Sequence, residues 1–183
     1  RSVRLHGSWI TSVVSTGKLF ATSSYDSTIA LFQNKQEAFN PNTVRVYLNC
    51  HKDYVHKLAA DDSTIFSSGS DSIVAITDIA QGNTAPHTTI PLYHTAHALA
   101  VQGSTLFIGK TTGTFSFIDL RESTNQNKLA SFGSNIKDIL VDGTTAYVGC
   151  LNGSVSIFDL RASSFETKHF IESPLMNLQR VHS

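Results

Sequence analysis

The residues best suited to chemistry in this 183-residue chain are few. His94 and His97 have the His-x-x-His spacing of a metal pair, and Asp61-Asp62 sets two carboxyls side by side, as acid–base catalysis uses them. Strand residues three apart face opposite sides of a sheet, so the two histidines would not converge without a bulge. No cysteine or carboxylate cluster joins them. They are expected as an exposed histidine and a histidine at the start of a strand. Adjacent aspartates between apolar runs are expected to form a turn. Serines are abundant, yet no Gly-x-Ser-x-Gly elbow, Gly-x-Gly-x-x-Gly or phosphate loop occurs. The expectation is therefore no catalytic residue, no metal and no cofactor, and not an enzyme.

Composition narrows the partners. Lys+Arg and Asp+Glu are equal at 14 each, so no basic excess exists to neutralise phosphates, and nucleic acid is not expected. No apolar run approaches the roughly 18 to 20 residues that span a bilayer, and no membrane partner is expected. Charged residues make up 15% and hydrophobic ones 40%, with eleven Phe, which argues for a packed core rather than disorder. Cys50 and Cys150 are too few and too scattered for a disulfide framework, which suits a cytoplasmic or nuclear location.

The elements come from an internal repeat. GSTLFIGKTTGTFSFIDLR (Gly103 to Arg121) lies over GTTAYVGCLNGSVSIFDLR (Gly143 to Arg161), offset by 40. DSTIFSSGSDSIVAITDI and GKLFATSSYDSTIALFQ fit the same frame, and the end positions Gln33, Asp78, Asp119 and Asp159 are 45, 41 and 40 apart. A period near 40 to 45 with several strands per unit is the signature of a propeller blade. The pairs Ile29/Leu31, Val74/Ile76, Phe115/Phe117 and Val155/Ile157 enclose Ala30, Ala75, Ser116 and Ser156, small residues that suit a sheet packed on both faces. Ile10/Val13, Val55/Leu58, Ala96/Leu99 and Ile136/Ile139 are spaced by three, which predicts a bulge at each strand start. A fourth strand per unit is fainter, with candidates at Thr43–Leu48, Thr88–Tyr93, Lys128–Phe132 and Lys168–Ile171.

The fold expected is an all-β propeller region over residues 1–183. Its four-stranded blades would lie near 9–48, 54–93, 96–133 and 136–172, with partial blades at 1–5 and 175–183. Val3-Arg4-Leu5 reads as a fourth strand without its blade, and Leu175-x-x-Leu178 as a first strand without its blade. The chain thus reads as a fragment of a larger ring, for example one of seven blades, with missing blades of the same chain as partners.

These residues resemble the WD-repeat family across nearly the whole chain. His6-Gly7-Ser8-Trp9-Ile10 and His51-Lys52-Asp53-Tyr54-Val55 are similar to its His-x-x-aromatic-aliphatic motif. SSYDSTIALF and SGSDSIVAITD are similar to its Ser-x-Asp-x-x-aliphatic segment, and IDLR and FDLR to its terminal Trp-Asp. The resemblance implies hydrogen-bond networks of His6, Asp26 and Thr22 or Ser23, and of His51, Asp71 and Ser67 or Ser68. Phe32 and Thr77 replace the usual Trp and offer no indole N–H. The third and fourth units lack the turn aspartate, having Thr112 and Asn152 in its place. It also implies a protein-binding face carrying Trp9, Tyr25, Lys52, Tyr54, Ser70, Lys110, Thr111 and Leu151, with Arg121 and Arg161 on the opposite face. HGSWI, HKDYVHKLA, the lead-in around His94–Ala100 and KLASFGSNIKDIL further resemble consecutive blades of the WD-repeat activator of ubiquitin-specific proteases. IDLR and FDLR also resemble the Trp-Asp-x-Arg box of WD-repeat receptors of cullin ligases. The function implied is a non-catalytic scaffold for other proteins, as a deubiquitinase activator or a cullin-ligase substrate receptor. The competing class is a propeller hydrolase whose site lies in blades not present here.

Overall fold

Short runs of β-branched and aromatic residues, separated by Gly, Asp and Ser turns, form sixteen strands among the described residues. The structure is a computed structural model that describes residues 4–17, 19–33, 44–80, 85–121, 127–162, 164–169 and 178. Among these residues there is no helix. The first sheet is β1 (Ile10–Ser15), β2 (Leu19–Ser24), β3 (Ile29–Gln33) and β4 (Val44–Leu48). The second is β5 (Val55–Ala60), β6 (Thr64–Gly69), β7 (Ile73–Asp78) and β8 (Thr88–Pro91). The third is β9 (Ala96–Gln102), β10 (Thr105–Lys110), β11 (Thr114–Asp119) and β12 (Asn127–Ser131). The fourth is β13 (Ile136–Asp142), β14 (Thr145–Cys150), β15 (Ser154–Asp159) and β16 (Ser164–His169). Each sheet is antiparallel with its strands in chain order, a meander repeated four times and consistent with a propeller-like fold. Residues 1–95 and 96–183 form two compact units of two sheets each.

The irregular spacing at each strand start has a structural cause. Register slips by one residue between Ile10 and Ser12, Val55 and Lys57, and Ile136 and Asp138. In the third sheet it slips where Gly109 and Lys110 face Ala98 and Ala96. Thr11, His56, His97 and Lys137 are therefore extra residues, bulged out of the first strand of each sheet. The bulge puts both apolar residues of each three-spaced pair on the same face of the sheet, and in the second and fourth sheets that face packs on the preceding sheet.

Each unit has one core between its two sheets. In the first, Ala21, Ile29, Leu31 and Leu48 of one sheet meet Val55, Leu58, Ile65 and Ala75 of the next. In the second, Ala98, Phe107, Phe115 and Ala130 meet Ile136, Ile139, Ala146, Val148 and Phe158. Phe115 stands edge-on to Phe158, ring centroids 5.5 Å apart. The small central residues Ala30, Ala75, Ser116 and Ser156 are all buried, as close packing on both faces requires.

Arg4 and Leu5 form no strand; the Arg4 guanidinium turns back, with Nε donating to the His6 carbonyl at 3.2 Å. Val3 and the 175–183 segment other than Leu178 lie outside the described residues, as do residues 34–43 and 81–84 in the longer connections. The Leu178 amide donates to Asp138 at 2.6 Å.

The turn between second and third strands needs a left-handed residue in every sheet. Gly113 and Gly153 supply it in the second unit at φ 80° and 83°, but Ser27 and Ser72 hold φ 68° and 58° in the first. A side chain there costs roughly 1–2 kcal/mol that glycine avoids. Ser72→Gly is accordingly expected to raise stability by about 1 kcal/mol in urea unfolding. Gly113→Ala should lower it by more, because its new Cβ would lie 2.7 Å from the Ser134 carbonyl oxygen.

Candidate functional site

The lead-in to each first strand and the turn after each second strand lie at the same end of the sheet, and a backbone bond ties them. Tyr25 N donates to Trp9 O at 3.0 Å, Ser70 N to Tyr54 O at 2.8 Å, and Leu151 N to Asn135 O at 2.8 Å. In the first unit a buried histidine reinforces this link. His51 Nδ1 lies 2.9 Å from Asp71 Oδ1, and its Nε2 lies 2.8 Å from Ser67 Oγ. His6 repeats the arrangement, with Nδ1 3.2 Å from Asp26 Oδ2 and Nε2 2.9 Å from Thr22 Oγ1. A carboxylate only accepts, so Nδ1 carries the proton and Nε2 accepts from the hydroxyl. Each aspartate also takes a backbone amide of the lead-in, Gly7 N at 2.7 Å and Lys52 N at 3.0 Å.

Of the hydroxyls open from sequence, Thr22 and Ser67 join the histidines, because alternation turns Ser23 the other way. Ser23 Oγ instead bonds Thr11 Oγ1 at 2.8 Å. The position of Thr22 and Ser67 is held by Ile108 in the third sheet and Val148 in the fourth, both fully buried. The second unit thus fills this site with aliphatic packing. Gly69 makes the tightest of the pairs possible: a Cβ there would sit 2.6 Å from His51 Nδ1 and 2.8 Å from Asp71 Oδ1. Burial works to raise the Asp26 pKa, but hydrogen bonds from Thr28 and Gly7, with His6 adjacent, outweigh it and hold the group at about 2.

On this frame the first unit carries an aromatic row. Trp9 and Tyr25 stack with centroids 6.1 Å apart, and Tyr25 and Tyr54 follow at 4.8 Å. Trp9 is 78% exposed and Tyr54 50%. His56, one of the bulged residues, stands edge-on to Tyr25 at 5.8 Å while its Nε2 bonds Ser70 Oγ at 2.7 Å. Lys52 is exposed beside them. The structure therefore brings together Trp9, Tyr25, Tyr54 and Ser70. It adds His56, which the three-residue spacing at Val55/Leu58 marks as the bulged position.

The second unit presents less. Leu151 is exposed, but Lys110 is 8% exposed, against the expectation of a rim lysine. Lys110 ends β10 opposite Ala96, where the other sheets place Ser24, Gly69 and Cys150, all interior. Burial lowers its pKa. Arg121 and Arg161 follow the far ends of β11 and β15, at the opposite sheet ends from this rim. Arg121 grips Asp119 with Nε and Nη2 at 3.1 and 2.7 Å, and this pairing leads the causes that hold Asp119 at about 2. Arg161 is exposed, and its amide donates to Asp159 at 2.8 Å.

The remaining chemical candidates have local partners. His97 Nδ1 lies 3.1 Å from Lys137 Nζ, a cation where a metal ligand would need a free lone pair. His94 is exposed. Asp61 Oδ1 accepts from Ser63 N and Thr64 N at 2.9 and 2.7 Å, capping its turn. Cys50 and Cys150 are buried free thiols, and burial pushes the pKa of both up.

No family model matches the chain, and no curated protein does. Among solved structures it is similar to the computationally designed Ika8 protein, at 16% identity and a TM-score of 0.78. That match covers 97% of this chain and 54% of the Ika8 chain, so this chain spans about half its length. It is also similar to the computationally designed Ika4 protein, at 17% identity and a TM-score of 0.74, over 87% of this chain and 96% of that one. At these identities the likeness concerns the fold alone.

Asp71→Ala would strand a buried histidine and is expected to cost roughly 2–4 kcal/mol in denaturant unfolding. Gly69→Ala should push the same pair apart and destabilise in the same assay. The Asp26 contribution has a definite pH sign. Because its folded pKa of about 2 is below the ordinary 3.8, its stabilisation is full above pH 4 and is lost as pH falls toward 2. Asp26→Asn should flatten that limb of a stability–pH curve.

Proposed function

We propose that the chain is a non-catalytic protein-interaction scaffold on a WD-repeat propeller, with the aromatic row of Trp9, Tyr25 and Tyr54 as its contact surface. The observation that carries this reading is that row: three large rings already in contact with one another, Trp9 and Tyr54 half to mostly exposed, on a rim held by two His–Asp pairs. Trp and Tyr bury much area for little side-chain entropy, and stacking beforehand removes part of the ordering cost of binding. Further blades would complete the ring, and the repeat period supports that arrangement. The pathway proposed is ubiquitin handling, as an activator of a deubiquitinase, in keeping with the HKDYV resemblance. The cullin-receptor alternative would use Arg121 and Arg161. The Asp119 grip weighs against Arg121 as a free docking cation, since docking would have to break a bidentate pair.

Capture of partners by the intact protein tests the reading. Trp9→Ala/Tyr54→Ala should lose the principal partner, while Arg121→Ala/Arg161→Ala keeps it. Loss only with the arginine pair would favour the receptor alternative, and retention by both variants would remove these sites.

A further inference from the structure

His97 and Lys137 hold the same repeat position, the bulged residue of the first strand, in the two sheets of one compact unit. The bulge takes each out of strand alternation and brings Lys137 Nζ to 3.1 Å from His97 Nδ1. An ammonium only donates, so Nδ1 is the acceptor and the imidazole carries its proton on Nε2. Both residues are half-buried, which shelters the pair from water without closing it off.

The surroundings disfavour the ammonium. Strands β9, β10 and β14 pack on β13 and contain no aspartate or glutamate. On β13 itself, alternation puts Asp138 on the face of Leu140, away from Ile139 and the third sheet. Asp138 is buried there and accepts the Leu178 amide, while Asp142 ends the strand. Burial accordingly lowers the Lys137 pKa. Lys52, by contrast, is exposed. A desolvated amine in contact with a base is the arrangement that activates a lysine as a nucleophile.

We infer that Lys137 is an acylation site whose amine takes the acyl group of a thioester, with His97 as the base. Nζ, once its ammonium proton has left to solvent, attacks the thioester carbonyl. A C–N bond forms and the C–S bond breaks. His97 Nδ1 takes the proton that Nζ sheds and passes it to the departing thiolate. The products are an amide on Lys137 and a free thiol, with no change of oxidation state. The reaction makes no use of Trp9, Tyr25 or Tyr54, so it stands or falls apart from the scaffold reading.

The test is to incubate the 183-residue chain with the acetyl thioester of N-acetylcysteamine at neutral pH and follow each lysine by mass spectrometry. Lys137 should be acetylated at least about tenfold faster than Lys52. His97→Gln keeps an acceptor but no base; it should bring Lys137 down to the Lys52 rate, with circular dichroism and the Lys52 rate unchanged. Lys137→Arg should remove the fast site and leave the other lysines as they were. Equal rates at Lys137 and Lys52 in the wild type overturn the inference, and so does a folded His97→Gln chain in which Lys137 stays fast. The wild-type comparison needs no variant, so it decides the matter even where a substitution disturbs folding.

Discussion

A sheet with two apolar faces is stable only when both are covered, and that requirement organises this chain. Each four-stranded meander alternates aliphatic residues to both sides around a small central residue. A single meander would expose one face or the other, so sheets must stack. The bulge at each first strand serves this stacking. By setting Thr11, His56, His97 and Lys137 out of register, it turns two residues spaced by three toward one face of the sheet. Thr11 then donates to the Val55 carbonyl of the next sheet at 2.7 Å, so the bulge joins the sheets as well as bending the strand.

Where stacking leaves the rim loose, two chemistries hold it. The first unit uses buried His–Asp pairs that tie the lead-in to the turn. The second unit uses Ile108 and Val148 at the same position, with glycines in the turns. A buried hydrogen-bonded polar pair is a weaker source of net stability than apolar packing, but it fixes direction more sharply. The unit that keeps the polar pairs is also the unit with the stacked aromatics. Tyr25 and Asp26 are consecutive, as are Ser70 and Asp71, so locking the aspartate also fixes the residue at the rim.

Much of the fold was legible because it depends on local periodicity. The small residues between apolar pairs, the bulges and the sheet count all follow from side-chain alternation and turn chemistry. The fourth strands were fainter, since an outer strand packs less and carries a weaker pattern. The His–Asp partners were legible from family resemblance, but the choice of Thr22 over Ser23 needed the register. Lys110 misled because a terminal strand position reads as exposed, whereas alternation places it inside, with Ser24, Gly69 and Cys150.

By itself, the sequence determined the repeat, the strand content, the bulge positions and the balance of charge. These depend on residue type and spacing within about ten residues. Only the tertiary structure decided that Trp9, Tyr25 and Tyr54 form one row, that Arg121 is held by Asp119, and that His97 meets Lys137. Each of these depends on which sheet faces which, or on a side-chain rotamer, and a one-dimensional pattern carries neither.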